Sequence, residues 1–269
     1  MPGTTATARS RHQRWAHSEQ LPVRGRAASC GAVLIDICQS VQMLLRRSAV
    51  GAIAALGMLV PCAGLSAAAA PKGWPRLRAG EAYGIDVAAF QGHGAWPQVA
   101  RAGISIAYVK ATQGTSYLNP LFTADWQGAR ASGLEVGAYH FFSFCSPRRA
   151  EARSLPAAVP KDPSALPPAV DLELRGNCST RPSASEVTTQ PAAAVERSTG
   201  KTPLFYVGLD LAAHYKLAML RMHSLWFRRT HRPSAASVAI WQPRALFQAK
   251  GIVGGVDLDI ARLRTLRAS

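Results

Sequence analysis

The sequence lacks the motifs of several common enzyme classes. No G-x-G-x-x-G or Walker sequence indicates a nucleotide site, and no G-x-S-x-G elbow indicates a serine hydrolase. No group of His, Cys, Asp and Glu residues has the spacing of metal ligands, so we predict neither a metal nor another cofactor.

Acidic residues are also scarce. The 269 residues include 15 Asp and Glu against 31 Lys and Arg, which gives a formal net charge of +16. Such a basic protein is attracted over long distances to anionic surfaces such as a bacterial envelope. Nucleic acid is the other polyanion, but the sequence has no basic run with interleaved aromatic residues, no zinc-finger spacing and no RNA-binding signature. We therefore predict no nucleic-acid partner.

The N-terminal quarter differs from the rest of the chain. Arg46 and Arg47 precede an uncharged apolar run over residues 49–70, which ends in small residues. This order is typical of a cleaved secretory signal peptide, although the run is long enough for a retained membrane anchor. We predict a signal peptide at 43–70, export to the periplasm or the extracellular space, and no stable membrane insertion after cleavage.

The predicted cleavage divides the rest of the chain. Residues 1–42 are interpreted as a start-site artefact or a disordered extension, 71–82 as a linker and 83–269 as one folded domain. Cys145 and Cys178 would be the cysteines of the exported chain. Two cysteines in an exported protein predict one disulfide, and two free thiols are the alternative.

Short apolar runs alternate with helix-like segments in this domain. Helices separate the first five predicted strands, whereas the last three strands follow one another closely. The predicted strands are 83–90, 104–112, 135–144, 168–174, 202–208, 224–229, 237–243 and 254–260. The pattern predicts an α/β barrel with a compressed last third, and an open doubly wound sheet is the alternative.

Four acidic residues lie among the apolar residues of these strands: Asp86 in the first, Asp171 and Glu173 in the fourth, and Asp257 in the eighth. A buried acid requires a compensating partner or a function. In a closed parallel barrel the functional side chains gather at the C-terminal strand ends. The first, fourth and eighth strands can converge there, because the eighth strand adjoins the first.

Asp171 and Glu173 are two residues apart, so their side chains leave the same face of a strand, with Cα atoms roughly 6.5–7 Å apart. Two acids this close repel each other's charge, and one keeps its proton to higher pH than the other. Glycoside hydrolysis needs this combination of a proton donor and an anion. The alternative is that the two acids pair with Arg175 and Arg181 on a solvated strand edge.

Aromatic and polar residues of the predicted strands are candidates for substrate binding. Flat aromatic faces stack on sugar rings, although each aromatic residue taken alone is more often part of a core. A lone histidine is likewise more often structural than catalytic. The candidates are Tyr139, His140, Phe141, Tyr206, Trp226, Trp241 and Gln242.

Eight segments resemble, in order, those of the glycoside hydrolase family 25 lysozymes, also called N-acetylmuramidases. Together they extend over residues 83–260. The segments are "GIDVAAFQG", "AYVKATQGTSYLNPLF", "GLEVGAYHFF", "PPAVDLELRGNC", "GKTPLFYVG", "LWFRR", "IWQ" and "GIVGGVDLDI". A bacterial subset of the family carries cysteines where this chain has Cys145 and Cys178, which supports a bridge between them.

The resemblance implies that residues 83–269 form a catalytic domain, a single flattened (β/α)5β3 barrel similar to a TIM barrel. Such an enzyme would hydrolyse the β-1,4 bond between N-acetylmuramic acid and N-acetylglucosamine in peptidoglycan glycan strands, without a cofactor and as a monomer. Glu173 matches the family's general acid. Asp171, Asp86 and Asp257 match the other acids of the catalytic groove.

The resemblance also implies two roles for Asp171, which would orient the N-acetyl group of the substrate for attack or stabilise the cationic transition state directly. Tyr139, Tyr206, Trp226 and Trp241 would bind the glycan.

Three positions depart from the family pattern. Ala88 stands where a serine is usual, Gln113 where a glutamate is usual, and Asp259 where an asparagine is commoner. These departures keep a second hypothesis open, a catalytically weakened peptidoglycan-binding protein on the same scaffold.

Overall fold

The structure, a computed structural model, describes residues 73–215 and 223–269. These residues fall within the compact unit Ala70–Ser269. The predicted signal peptide at 43–70 and the upstream residues 1–42 lie outside the described residues. In the part of the chain that is described, no helix has the length and apolarity needed to cross a membrane.

The described residues form nine strands and seven helices. The strands are β1 (Glu81–Val87), β2 (Ile104–Gln113), β3 (Tyr117–Leu118), β4 (Glu135–Phe141), β5 (Ala169–Leu172), β6 (Leu204–Val207), β7 (Leu225–Arg228), β8 (Val238–Phe247) and β9 (Val256–Arg262). The helices are α1 (Trp96–Arg101), α2 (Phe122–Ala131), α3 (Arg148–Ala158), α4 (Ala184–Val187), α5 (Thr189–Thr199), α6 (Leu209–Tyr215) and α7 (Leu263–Arg267), and a 3-10 turn (Ala89–Gln91) follows β1.

Eight strands close into a barrel, because β1 pairs with both β2 and β9. The predicted α/β barrel is therefore confirmed, and the open doubly wound sheet is excluded. The additional strand β3 pairs antiparallel with β2 outside the ring. It has two exposed residues, too few to give a periodic signal in the sequence.

The last strand reverses the direction of the barrel. The strands β1, β2 and β4–β8 run parallel to one another, whereas β9 is antiparallel to both of its neighbours, β8 and β1. The expectation of a closed parallel barrel is wrong at this strand. As a consequence, the beginning of β9 lies beside the C-terminal ends of the other strands.

Alternation along the strands sorts side chains between the barrel interior and the surrounding helices. A buried interior cluster includes Ile106, Tyr108, Leu204, Trp226 and Ile240. Leu166 and Leu266 also belong to this cluster. Because Leu266 lies on α7, which follows the C-terminal end of β9, the cluster fills the barrel at the end opposite the C-terminal ends of the parallel strands.

A glycine in β4 makes room for Tyr108, one of the large interior side chains. A Cβ atom on Gly137 would lie 2.3 Å from the ring of Tyr108. The Tyr108 ring extends past Gly137, and its hydroxyl donates a hydrogen bond to the carbonyl oxygen of Pro167 at 2.9 Å. The contact fixes β2 against the segment that leads into β5.

The residues just before β1 pack against the barrel. The Trp74 ring lies 4.6 Å from that of Tyr83 and 4.8 Å from that of Phe247, both edge-on. The Tyr83 hydroxyl donates to the carbonyl oxygen of Pro75 at 2.7 Å, and β1 begins at Glu81. Part of the stretch predicted as a linker at 71–82 thus contributes to the folded unit.

Candidate active site

Two of the four candidate acids face each other across neighbouring strands. Asp86 lies near the end of β1, Asp257 near the beginning of β9, and the two are direct partners in the antiparallel register. Both are partly exposed. The expected convergence of the first and last strands is therefore confirmed, but the antiparallel direction of β9 produces it.

The other two acids lie on β5 and just after it. Asp171 is the third residue of β5 and pairs with Phe141 of β4 and Tyr206 of β6. Asp171 is 9% exposed and Glu173 is half-buried. Glu173 lies one residue beyond the end of β5, so its predicted position inside a strand is wrong.

The solvated-edge alternative for these acids is not supported. No ion pair joins Asp171 or Glu173 to Arg175 or Arg181 among the pairs of the described residues. Arg181 instead donates to the carbonyl oxygens of Cys178 and Thr180, at 2.9 and 3.0 Å.

The surroundings of Asp171 and Glu173 favour a retained proton. Burial raises the pKa of Asp171 well above its usual range, the charge of Glu173 raises it further, and Lys110 opposes both effects. Burial also raises the pKa of Glu173, against the attraction of Arg228. The pair therefore holds a proton to higher pH than an isolated carboxyl group would.

Lys110 is a site residue that sequence reasoning missed. It ends the inward-facing series of β2, two residues after Tyr108, and its Nζ donates to Oε1 of Gln113 at 2.6 Å. Burial lowers the pKa of Lys110, while Asp171 and Glu173 act to raise it. The alternation that places Tyr108 inside the barrel could have placed Lys110 beside the acids.

Arg228 is a second missed residue. It follows Trp226 by two positions at the end of β7, so it continues the inward-facing series into the solvent-exposed mouth of the barrel. Its positive charge lowers the pKa of Glu173 and of Asp257, whereas burial raises the pKa of both. The mouth of the barrel thus carries cations on two sides of the acids.

A hydrogen-bonded chain holds Asp86 in place. Nε2 of Gln242 donates to Oδ2 of Asp86 at 3.0 Å, and the Tyr206 hydroxyl donates to Oε1 of Gln242 at 3.0 Å. Burial raises the pKa of Asp86 well above its usual range, and the charges of Asp259 and Asp257 add to the effect. The prediction that Gln242 and Tyr206 belong to the site fits this arrangement.

Asp259 is a fifth carboxylate in the barrel interior. It is 1% exposed, and its Oδ1 accepts a hydrogen bond from Nε1 of Trp226 at 2.9 Å. Its Oδ2 is buried with no hydrogen-bond partner within the described residues. Burial, followed by the charge of Asp257, raises its pKa well above the usual range.

The raised pKa values set the pH dependence that these acids impose on stability. For Asp86, Asp171 and Asp259 the folded state binds protons more tightly than the unfolded chain, whose carboxyl groups titrate near pH 4. Their unfavourable contribution is absent below that value and grows as pH rises through the folded pKa. The acid cluster therefore destabilises the fold towards neutral pH.

The predicted aromatic residues divide between the site and the packing around it. Tyr139, Tyr206 and Trp226 point into the barrel below the acids, with exposures of 8%, 6% and 2%. The rings of Tyr139 and Tyr206 lie edge-on to Trp226. Phe141 is half-buried at the rim, and Nζ of Lys110 lies 4.9 Å from its ring centroid.

His140 and Trp241, the remaining predicted binding residues, do not lie with the inward-facing side chains beside the acids. His140 is 2% exposed, and its ring nitrogens lie 2.8 Å from Oγ1 of Thr112 and 3.3 Å from Oε2 of Glu151, on α3. Trp241 belongs to the outer core, and its Nε1 donates to the carbonyl oxygen of Arg229. Both side chains lie on the outer face of their strands, whereas the residues next to them in sequence face inward.

The predicted disulfide between Cys145 and Cys178 is confirmed, with Cα atoms 5.3 Å apart. Beside it, Nδ2 of Asn177 donates to the carbonyl oxygens of Phe142 at 2.9 Å and Glu173 at 3.0 Å. Oδ1 of Asn177 accepts from the backbone N–H of Phe144 at 2.5 Å. The bridge and this amide join the loops after β4 and β5 and fix the backbone of Glu173.

Comparison with known proteins identifies the family. The sequence profile described as glycosyl hydrolases family 25 matches residues 85–254, more than half of the chain. The chain belongs to this family. A family 25 glycosyl hydrolase from Bacillus anthracis superposes with a TM-score of 0.62 at 27% identity, over 70% of this chain and 91% of that chain.

Curated relatives agree with this membership. YegX of Escherichia coli K12 is 34% identical over 188 residues, which cover 66% of this chain and 68% of YegX. Lysozyme M1 of Streptomyces globisporus is 48% identical over 58 residues, 22% of this chain and 20% of that protein. This family 25 protein is thus a glycoside hydrolase of the lysozyme type.

A cleft of about 620 Å³ opens beside the acids of this family 25 hydrolase. Its lining includes Glu173, Tyr206, Arg228 and Gln242, but not Asp171. Among the described residues, no three His, Cys, Asp or Glu side chains are arranged to hold a metal ion. The site therefore offers carboxyl groups, their neighbouring cations and a wall of aromatic and amide groups.

Two of the departures from the family pattern lie at the rim of the site. The backbone N–H of Ala88 donates to Oε1 of Gln91 at 2.7 Å, so the 3-10 turn after β1 is capped without a serine hydroxyl. Gln113 accepts the hydrogen bond from Lys110. Neither departure alters the four predicted acids.

Proposed function

We propose that the protein is an exported, monomeric muramidase that hydrolyses the β-1,4 bond between N-acetylmuramic acid and N-acetylglucosamine in peptidoglycan. The observation that carries the proposal is the pair Asp171–Glu173, of which Asp171 is buried and Glu173 is half-buried and lines an open cleft. The B. anthracis family 25 hydrolase and Lysozyme M1 support the same class of reaction.

Glu173 is the proton donor in this proposal. Burial raises the pKa of both Asp171 and Glu173, so the direction of the shift does not choose the donor. Position does, because Glu173 lines the cleft and Asp171 does not. A proton held by the pair is delivered to the glycosidic oxygen through Glu173 as the bond to the sugar carbon breaks.

Asp171 has a role other than proton donation. Its Oδ1 is buried and lacks a hydrogen-bond partner among the described groups. An unpartnered carboxylate oxygen can accept the N–H of a substrate acetamido group, which would turn the acetamido oxygen towards the sugar carbon. Direct stabilisation of the cationic transition state is the other role open to this carboxylate, and it needs no hydrogen bond.

Asp86 and Asp257 supply negative charge at the mouth of the barrel, where positive charge develops on the sugar ring. Gln242 fixes Asp86 by a hydrogen bond, and Tyr206 fixes Gln242 in turn. Tyr206 and Phe141 offer ring surface to the glycan, while Tyr139 and Trp226 support them from below.

Analysis of reducing ends tests the proposal directly. Purified peptidoglycan is incubated with the protein, reduced with borohydride, hydrolysed and separated by mass. The proposal predicts that reduced N-acetylmuramic acid accumulates with time. Accumulation of reduced N-acetylglucosamine would assign a different bond, and either that result or no new reducing end contradicts the proposal.

The weakened binding protein remains the competing function. It predicts that the protein sediments with peptidoglycan and releases no reducing ends. The retention of four acids at the mouth of the barrel, one of which lines an open cleft, favours the enzyme, since a binding surface has no need of carboxyl groups with raised pKa values.

A further inference from the structure

The cleft beside Glu173 continues into a region whose charged side chains are mostly arginines. We call this region the arginine lobe, and it consists of Arg175, Arg228, Arg229 and Arg244. The carboxylates that line the same cleft are Glu173 and Asp210. With Glu173 protonated as the donor, Asp210 is the remaining anion of the lining, and Asp257 acts on Arg228 from outside it. Two anions therefore face four cations, and the lobe carries net positive charge.

Carboxyl groups of the protein offset the charge of the lobe only in part, since Asp257 and Glu173 act on Arg228. In residues 73–215 and 223–269, no ion pair includes any of its four arginines. Oδ1 of Asp210 accepts the backbone N–H of Leu211 at 2.8 Å. The guanidinium carbon of Arg229 lies 5.8 Å from the ring centroid of Phe227. The positive potential of the lobe is therefore available to an anion from outside.

The lobe begins at the reacting groups. Arg175 follows Glu173 by two residues, and Arg244 follows Gln242 by two residues. Arg228 likewise follows Trp226. All four arginines line the cleft, and Arg228 continues the inward-facing series of β7 towards solvent. A substituent carried by the sugar at Glu173 can reach the lobe without leaving the cleft.

From this arrangement, and on the basis of the proposed muramidase function, we infer that the arginine lobe binds carboxylates carried by the substituent of the muramic acid sugar. The N-acetylated sugar backbone itself is uncharged. The negative charges of a peptidoglycan strand lie on the lactyl group, where it is free, or on the peptide attached to it. Guanidinium groups bind such carboxylates through two parallel hydrogen bonds.

Three forms of one substrate test the inference. The first is glycan strands with their peptides, and the second is the same strands after an amidase has removed the peptides and freed the lactyl carboxylates. In the third, the carboxyl groups of the first form are converted to neutral amides with carbodiimide and methylamine. Hydrolysis is measured as kcat and KM for each form.

The protein is expected to hydrolyse at least one carboxylate form with a kcat/KM about tenfold above that of the neutral form, mainly through KM. The carboxylate form with the higher kcat/KM identifies which carboxylates the lobe binds, those of the peptide or those of the lactyl group. In an Arg229→Gln/Arg244→Gln variant the ratio between carboxylate and neutral forms falls towards one. The ratio also falls with added salt, because the contacts are exposed.

A matched control uses Arg101→Gln, since Arg101 is exposed at the end of α1, before β2 and away from the mouth of the barrel. This variant should keep the full ratio. Equal kcat/KM values of the unmodified protein on all three forms would overturn the inference while leaving muramidase activity intact. A double variant that loses the same factor on every form would overturn it too. Absence of any hydrolysis refutes the proposed function instead.

Discussion

Replacing both Cys145 and Cys178 with alanine removes the covalent link between the loops after β4 and β5. The two cysteines are 33 residues apart in sequence. A cross-link stabilises a protein mainly because it restricts the unfolded chain, by an entropy that grows with the length of the closed loop. For this loop the chain-entropy relation gives about 3.7 kcal/mol at 25 °C.

The loss is measurable in two ways. Urea unfolding followed by far-UV circular dichroism should give a free energy of unfolding about 3–4 kcal/mol below that of the oxidised protein. Thermal unfolding should shift by about 7–15 °C, given roughly 2–4 °C per kcal/mol for a folded unit of this size. The unmodified protein in dithiothreitol is the matched control and should unfold with the double variant. A difference below about 1 kcal/mol would refute the loop-entropy reasoning for this bridge.

Two further predictions concern the charges of the site. Asp259→Asn keeps the acceptor for Trp226 and removes a buried charge, so the free energy of unfolding should rise at pH 7 by about 1 kcal/mol or more, but not at pH 4. Asp162→Asn, the control, removes an ion pair with Arg130 and should give no such gain; an equal gain in both variants would contradict the reasoning. Lys110→Met removes the cation that opposes the raised pKa values of Asp171 and Glu173, so the pH profile of kcat/KM should move up by about one unit. The control Lys161→Met should leave the pH profile unchanged. An unchanged profile in Lys110→Met would show that Lys110 does not affect the pKa values of Asp171 and Glu173.

The acids of the site could be predicted because they interrupt apolar strands. Asp86 and Asp257 converge as expected, and Asp171 lies on the inward face of β5. The antiparallel direction of β9 was missed, although residues 248–255 are too few for a crossover connection and already indicate a hairpin. Glu173 lies beyond its strand because β5 ends at Leu172, a boundary that the alternating pattern does not mark.

Strand alternation also explains why the predicted binding residues divide between the inner and outer faces of the barrel. Tyr139, His140 and Phe141 are consecutive, so a strand cannot present all three to one cleft. His140 takes the outer face, where it meets Glu151 of α3. Trp241 and Gln242 divide in the same way, and Gln242 takes the inner face. Applied consistently, the same rule would have added Lys110 to the candidate site.

The contacts within the site could not be derived from the sequence. The hydrogen bond between Trp226 and Asp259 joins residues 33 positions apart, and that between Gln242 and Asp86 joins residues 156 apart. Both depend on how the barrel closes, which fixes the stagger of its strands. Local patterns identify inward-facing residues, but they do not determine which of these residues meet.

The most direct test of the account is the rate of peptidoglycan hydrolysis by Glu173→Gln beside the unmodified protein. The substitution is nearly isosteric and removes the proton donor, so the fold and peptidoglycan binding should persist while kcat falls by about 10²–10⁴-fold. Release of reducing ends gives the rate, and circular dichroism with co-sedimentation checks the fold and binding. If the folded variant retained most of its activity, Glu173 would not be the general acid and the central claim would fail.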